Sequence, residues 1–411
     1  MGKIVGVKAL QVLDSRGNPT VQCLVEIKEG VVSAMVPSGA STGSFEAVEL
    51  RDGKKAFGGK SVLNAIANIE KKIAPKIIGL DPTEQEKIDN LMIELDGTPN
   101  KRKLGANAIL AVSLAVARAG ALSEGKMLFD YLSEKFCSDE ISMPLPMLNI
   151  INGGKHAGFE NDVQEHMITP VKVKSFAEAM RVSSEVYMEL KGMLKKKYGA
   201  SAIGLGDEGG FVPPIPSTEK RLELIMKAAK NIGYEKKIQI ALDCAASEFY
   251  KKGKYHLGKK VFDSGKLIDY YLGLAKKFPI YLIEDGFSEE DWPAWQEFNE
   301  AAGSKLQIVG DDLLVTNVSR MKKAIELNAC NALLLKVNQI GTLTESFEAA
   351  RLAKDNGWGV VISHRSGETS DSFIADLAVG ISAGQCKFGA PARSERNAKY
   401  NRLLFIESLF S

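Results

Sequence analysis

Residues 332–342 read Ala332-Leu333-Leu334-Leu335-Lys336-Val337-Asn338-Gln339-Ile340-Gly341-Thr342. Four apolar residues in a row, too few for a helix, predict a fully buried strand, and it stops at a lysine. The same pattern recurs on both sides. Upstream, Ile240-Ala241-Leu242 ends in Asp243, Tyr281-Leu282-Ile283 in Glu284-Asp285, and Ile308-Val309-Gly310 in Asp311-Asp312. Downstream, Val361-Ile362-Ser363 ends in His364-Arg365, and Lys387 follows one more repeat. Between these runs lie amphipathic stretches such as 266–277 and 344–356. Buried strands at 238–242, 280–283, 306–309, 332–335 and 360–362 alternating with helices predict a parallel sheet, and the number of units favours a closed β/α barrel.

A barrel of this kind brings the carboxyl ends of its strands to one mouth, where active sites lie. Six ionisable positions from 243 to 387 therefore converge, at intervals of 23 to 41 residues. Three are carboxylates on successive strands. Hard oxygen ligands with no cysteine or histidine pair nearby suit Mg²⁺. Taken singly, each acid is more readily a helix cap or an ion-pair partner; three at barrel spacing, with cations on the next three strands, favour a metal site. Lys336 faces that mouth. Beside a bound cation its ammonium form is disfavoured, so it can act as a base.

The chain before the barrel is built differently. Residues 3–37 read as a sheet with turns at 14–19 and at Glu29-Gly30, followed by the small-residue loop Ser38-Gly39-Ala40-Ser41-Thr42-Gly43. From 62 to 132 the helical period dominates, with Asp81-Pro82-Thr83 as a start signal. Strands then helices indicate a separate α+β unit. The polar stretch at 138–142, leading into Met143-Pro144-Leu145-Pro146, marks the junction. The expected domains are 1–138, an N-terminal α+β capping domain, and 139–411, a catalytic barrel.

Composition narrows the function classes. The 411 residues are 45% hydrophobic and 25% charged, enough for a sizeable core. Lysine and arginine number 53 against 51 acids, so no charge excess points to nucleic acid or an anionic membrane. Five scattered cysteines without a CxxC fit a reduced cytoplasmic protein better than a disulfide scaffold. The N-terminus lacks the apolar core of a signal peptide, and Gly6 stands where a myristoylation motif needs Ser or Thr. Residues 104–122 are apolar nearly all round but contain Asn107, Ser113 and Arg118, as expected of a buried helix rather than a membrane span. Gly204-Leu205-Gly206-Asp207-Glu208-Gly209 matches GxGxxG, but the prolines from 213 to 216 stand where a dinucleotide site needs a helix. Its glycines more plausibly bring Asp207 and Glu208 close to a ligand.

The chain resembles the enolase family. The similarity rests on the metal-type acids Asp243, Glu284 and Asp311; on Lys336 within 334–342; and on Leu13-Asp14-Ser15-Arg16-Gly17-Asn18-Pro19 and 38–43. It extends through Gly105-Ala106-Asn107-Ala108, Asn152-Gly153-Gly154-Lys155-His156-Ala157-Gly158, Gln164-Glu165 and Gly206-Asp207-Glu208-Gly209-Gly210-Phe211 to Ser363-His364-Arg365-Ser366-Gly367-Glu368-Thr369 and 389–396. The resemblance implies an α/β fold: an N-terminal α+β domain, then an eight-stranded TIM-like barrel with an irregular first part and one reversed strand. It implies dehydration of 2-phospho-D-glycerate to phosphoenolpyruvate with two Mg²⁺. Lys336 would be the base and Glu208 the acid, supported by Gln164 and Glu165. Asp243, Glu284 and Asp311 would hold the first metal ion and Ser41 would help bind the second. Arg365 and Ser366 would bind phosphate and Lys387 the carboxylate, with His156 closing over the site and His364 beside the substrate. A cytoplasmic homodimer or larger homo-oligomer is the expected state, with Arg16 near the interface, and no nucleic-acid partner or membrane span. Two alternatives remain: another proton-abstracting member of the superfamily, and a non-catalytic binding protein on the same fold. The pattern departs from the family at Gly286, Phe388, His166 and Phe45, none of them a proposed ligand, acid or base.

Overall fold

The structure, a computed structural model, describes residues 2–40, 43–138 and 140–410. Among them the N-terminal unit opens on an antiparallel meander of β1 (Ile4–Leu13), β2 (Pro19–Ile27) and β3 (Gly30–Met35). Asp14 shapes the first turn, its carboxylate accepting the N–H groups of Arg16 and Asn18 at 2.8 Å each. Along β2, Val21, Cys23, Val25 and Ile27 recur with period two and are all buried. Helix Ala106–Ser123 covers β2 and β3. It is long and apolar enough to cross a membrane, but it is mostly buried in this core. The helix after Asp81-Pro82-Thr83 differs in detail from expectation. It begins at Gln85, and the Asp81 carboxylate closes the turn before it by accepting the N–H and O–H of Thr83 at 2.9 and 2.7 Å.

The barrel strands are β4 (Leu145–Asn152), β5 (Glu165–Pro170), β6 (Ile238–Asp243), and, after a small side sheet of β7 (Tyr250–Lys251), β8 (Lys254–Leu257) and β9 (Lys260–Phe262), β10 (Ile280–Glu284), β11 (Gln307–Gly310), β12 (Ala332–Leu335), β13 (Gly359–Ser363) and β14 (Gly384–Lys387). Among the described residues eight of these close in the order β10-β11-β12-β13-β14-β4-β5-β6. β5 runs antiparallel to both neighbours, and the other pairings are parallel. A plain loop joins β4 to β5, which only an antiparallel pair permits; the remaining strands are joined through helices.

Inside, side chains stack in layers. Thr169, Tyr281, Gln385 and Gln307 form a hydrogen-bonded chain, with Tyr281 Oη 3.2 Å from both Thr169 Oγ1 and Gln385 Nε2. Met147, Met167, Ala241, Leu282, Val309, Ala332, Leu334 and Val361 make an apolar layer. Because strand side chains alternate, the residue two positions onward points the same way. Asn149, Asp243, Glu284, Asp311, Lys336 and Ser363 therefore follow that layer on the mouth side.

The two units meet along a polar and apolar seam. Gly380 ends helix Phe373–Gly380 so close to helix Leu128–Phe136 that a Cβ there would stand 2.7 Å from the Phe129 carbonyl oxygen. Arg118 of the N-terminal unit forks onto Asp371, donating to Oδ2 at 2.8 Å and Oδ1 at 2.7 Å, while Met35 N–H also donates to Oδ2. Burial alone would raise the Asp371 carboxyl, but Arg118 and these N–H donors hold it below its ordinary value. Its folded pKa is therefore the lower one, and the stabilisation is complete above the ordinary carboxylate pKa of about 3.9 and lost as pH falls through the folded value. Asp371→Asn is expected to cost about 3 kcal/mol at neutral pH. Urea melts should show that deficit shrink toward nothing in strong acid.

Candidate active site

Strand register brings the first three acids side by side. Glu165 pairs with Asp243 across β5 and β6, and Glu284 pairs with Asp243 across β10 and β6. Asp311 and Lys336 stand one residue beyond β11 and β12. Lys387 closes the ring from β14. Residues scattered from 149 to 387 thus share one wall.

On one side of the mouth, carboxylates outnumber cations. The Lys387 ammonium donates to Asp243 Oδ2 at 3.0 Å and to both Glu284 oxygens at 2.8 and 2.9 Å, and lies 3.2 Å from Glu165 Oε1. Lys336 Nζ pairs with Asp311 Oδ2, while Gln339 Nε2 donates to Asp311 Oδ1 at 2.8 Å. Asp285, at φ 44°, receives the N–H groups of Asp311 and Asp312 at 2.9 and 2.8 Å, and so shapes the turn that presents them. Oxygens of Asp285, Asp311 and Asp312 lie within 4.8 Å of one another. Burial, then the neighbouring charge of Asp243, pushes Glu284 well above the carboxylate range; burial and Asp312 do the same to Asp285. Five acids, Asp243, Glu284, Asp285, Asp311 and Asp312, face the ammonium groups of Lys336 and Lys387. All five are buried, so this surplus of negative charge suits an added divalent cation, and the all-oxygen donors suit Mg²⁺. The remaining cavity is about 20 Å³, little more than a water's worth. Lys336 is raised, not lowered: burial opposes its charge, but Asp311 outweighs that.

On the opposite side the carboxyls of Glu165 and Glu208 gather around His156, with ligand atoms within 4.8 Å of one another. Glu208 Oε2 accepts from Asn149 Nδ2 at 2.8 Å. His156 Nδ1 stands 3.4 Å from Glu208 Oε1 and 3.7 Å from Glu165 Oε1, and His364 Nε2 is 3.3 Å from Glu208 Oε1. Arg396, which can only donate, is 2.6 Å from His364 Nδ1, so the ring proton belongs on Nε2, facing Glu208. Burial drives both rings toward the neutral form, His364 down to about 3. Burial and the charge of Glu208 push Glu165 well up. Burial would raise Glu208 too, but the two histidines and Lys387 hold it well down. The two carboxyls are thus pushed in opposite directions, Glu165 up and Glu208 down. Gln164, buried beside them, has an Oε1 without a hydrogen-bond partner.

Above the third wall lies the loop from the N-terminal unit. Ser38 and Gly367 exchange backbone hydrogen bonds at 2.8 and 2.9 Å, and Ala40 N–H donates to Ser366 Oγ at 2.7 Å. Ser41 lies outside the described residues. Arg365 donates to Glu46 through Nη1 at 2.9 Å and Nη2 at 3.1 Å, and to Asn338 Oδ1 at 3.0 Å.

The positions that depart from the family pattern have local explanations. At Gly286 a Cβ would come 3.3 Å from the Tyr271 ring, whose hydroxyl donates to the Gly286 carbonyl at 3.0 Å. Phe388 is fully buried against Tyr400. His166 points away from the mouth and is held neutral by burial and by Arg221. Phe45 stacks on the Arg320 guanidinium at 4.0 Å. Sequence reasoning assigned no role to Glu46, Asn149, Asp285, Gln339 or Arg396, which orient the predicted residues. A polar residue inside a strand was the one available signal, at Asn149.

Two family models match the chain: "Enolase, N-terminal domain" over residues 4–132 and "Enolase, C-terminal TIM barrel domain" over residues 140–411. Relatives named enolase occur in Methanocaldococcus jannaschii, 54% identical over 98% of this chain and 95% of that protein, and in Thermococcus gammatolerans, 55% identical over 98% and 94%. The enolase of Methanopyrus kandleri is 55% identical over 99% of this chain and 96% of its own length.

Proposed function

The chain belongs to the enolase family, and from that premise we propose how its residues divide the reaction among them. It is a phosphopyruvate hydratase, interconverting 2-phospho-D-glycerate and phosphoenolpyruvate. The observation that carries the assignment of roles is the split mouth: an amine among carboxylates on one side, and Glu165 and Glu208 gathered around His156 on the other.

Lys336 removes the C2 proton. A carbon acid beside a carboxylate is weak, because ionisation adds a second negative charge to one group. Asp243, Glu284 and Asp311 would hold the first Mg²⁺ and Ser41 would contribute to a second. Bound there, the ions neutralise charge that builds on the substrate carboxylate, as is general across the superfamily. Asp311 is the partner that holds the Lys336 proton; a cation shared by that carboxylate would weaken the hold and make the base form accessible. Lys387 leaves Asp243 and Glu284 to meet the substrate carboxylate.

Glu208 delivers a proton to the departing C3 hydroxyl. Glu165 is its reservoir, and His156 stands between their Oε1 atoms at 3.7 and 3.4 Å. Gln164 offers its free Oε1 to the substrate, and His364 directs its Nε2–H into the same space. Arg365 and Ser366 take the phosphate, with Glu46 giving up the guanidinium it now holds. This division fits a boundary between 1–138, which supplies the covering loop, and 139–411, which supplies acid, base and metal ligands. A homodimer or larger ring is proposed, supported by Val5, Leu10 and Leu13, exposed along β1. Arg16 belongs near that interface. The cytoplasm is the proposed location, in keeping with free thiols at Cys23, Cys137, Cys244, Cys330 and Cys386.

With Mg²⁺ and 2-phosphoglycerate, the ultraviolet absorbance of phosphoenolpyruvate should rise. Chelation should stop it and added Mg²⁺ restore it. Undiminished turnover in excess chelator would reject the metal assignment, and no turnover with Mg²⁺ would reject the roles altogether.

A further inference from the structure

The loop between β4 and β5 carries His156, and both of its ends meet one buried guanidinium. Arg221 lies in the first turn of helix Thr218–Asn231, outside the barrel, and is 1% exposed. Its Nη1 and Nη2 donate to Asp162 Oδ1 at 2.8 Å and Oδ2 at 2.6 Å, at the far end of the loop. At the near end a Cβ on Gly153 would come 2.8 Å from Arg221 Nη1 and 2.2 Å from the Val163 carbonyl oxygen, so glycine is needed for the approach. Gly153 N–H donates to the Gln164 carbonyl at 2.8 Å, and Glu165 follows directly. Beyond this base the loop runs between two cavities of about 360 Å³ each, both bordered by Phe159, Glu160, Asn161 and Asp162. Among the described residues its other ties include the exposed pair Lys155–Glu248 at 3.0 Å, the Gly258 N–H to Asn161 carbonyl bond at 2.6 Å, and the approach of His156 itself to Glu165 and Glu208.

We propose that Arg221 is a positioning residue whose two-pronged grip on Asp162 sets His156 and Glu165 at their working distances from Glu208. The proposal rests on the division of roles above. An arginine–carboxylate fork fixes orientation as well as distance, and a lysine cannot reproduce it. With cavities on both sides of residues 159–162, the fork is what ties this stretch to the outer helix. A displacement of about 1 Å in such a group can cost about 10²-fold in rate. The loss falls on departure of the hydroxyl, because Lys336 is on the other wall.

The two halves can be read separately. Exchange of the C2 proton with solvent deuterium, followed by NMR, reports Lys336; phosphoenolpyruvate formation reports both halves. Arg221→Lys and Arg221→Gln should lower kcat by about 10- to 100-fold with KM little changed, while C2 exchange persists, so the ratio of exchange to dehydration rises. If Arg221→Gln does not fold, Asp162→Asn decides, since it alters the fork from the partly exposed side. Parallel loss of exchange and dehydration in folded variants, or no change in either, would overturn the proposal. A wild-type protein that neither exchanges nor dehydrates would overturn the underlying assignment of roles instead.

Discussion

Lys336→Ala is expected to lose both C2 exchange and dehydration, by about 10³- to 10⁴-fold, with the fold intact. The other described amine at the mouth, Lys387, is ringed by Asp243, Glu284 and Glu165 and is assigned to the substrate carboxylate. The substitution leaves Asp311 one donor short, but Gln339 still serves its other oxygen at 2.8 Å, and Gln339 is itself held by Thr316 at 3.0 Å. The acid therefore keeps its position, and a melting curve should remain close to wild type. Exchange that survives in Lys336→Ala would show that some other group takes the proton.

Glu208→Gln should separate the two halves of the reaction. The amide keeps the shape of the side chain but cannot give up a proton. Dehydration is expected to fall by about 10²- to 10⁴-fold, while C2 exchange continues, because Lys336 and the acids around it are untouched. The contrast with Lys336→Ala is the informative feature: one variant stops both readouts and the other only the second. Equal loss of both in Glu208→Gln would place Glu208 on the base side, or make it a structural group. Some cost in stability is expected as well, since His364 Nε2–H and Asn149 Nδ2 both face this carboxyl as donors.

Much of the barrel is local in origin. The run 332–335 coincides with β12, and 280–283, 306–309 and 360–362 fall within a residue of their strands, because an unbroken apolar run bounded by polar residues has few other stable fates. β4 and β5 escaped notice for the opposite reason. Asn149, Asn152, Glu165, His166 and Thr169 break up their apolar character; the mouth supplies partners to Asn149 and Glu165 and the polar end of the barrel to Thr169. The Arg118–Asp371 and Glu46–Arg365 pairs could not be read from the chain either. Their partners lie hundreds of positions apart, and nothing local distinguishes them from other charges.

By itself the sequence determined which chemical groups end the strands and, through the period of two, that they point inward above an apolar layer. Only the tertiary structure decided which of them touch. That in turn set the direction of each shift: Lys336 raised by Asp311, Glu165 pushed up and Glu208 held down. The energy between charges depends on separation and on how much water lies between, and both are properties of the packed mouth rather than of any segment of chain.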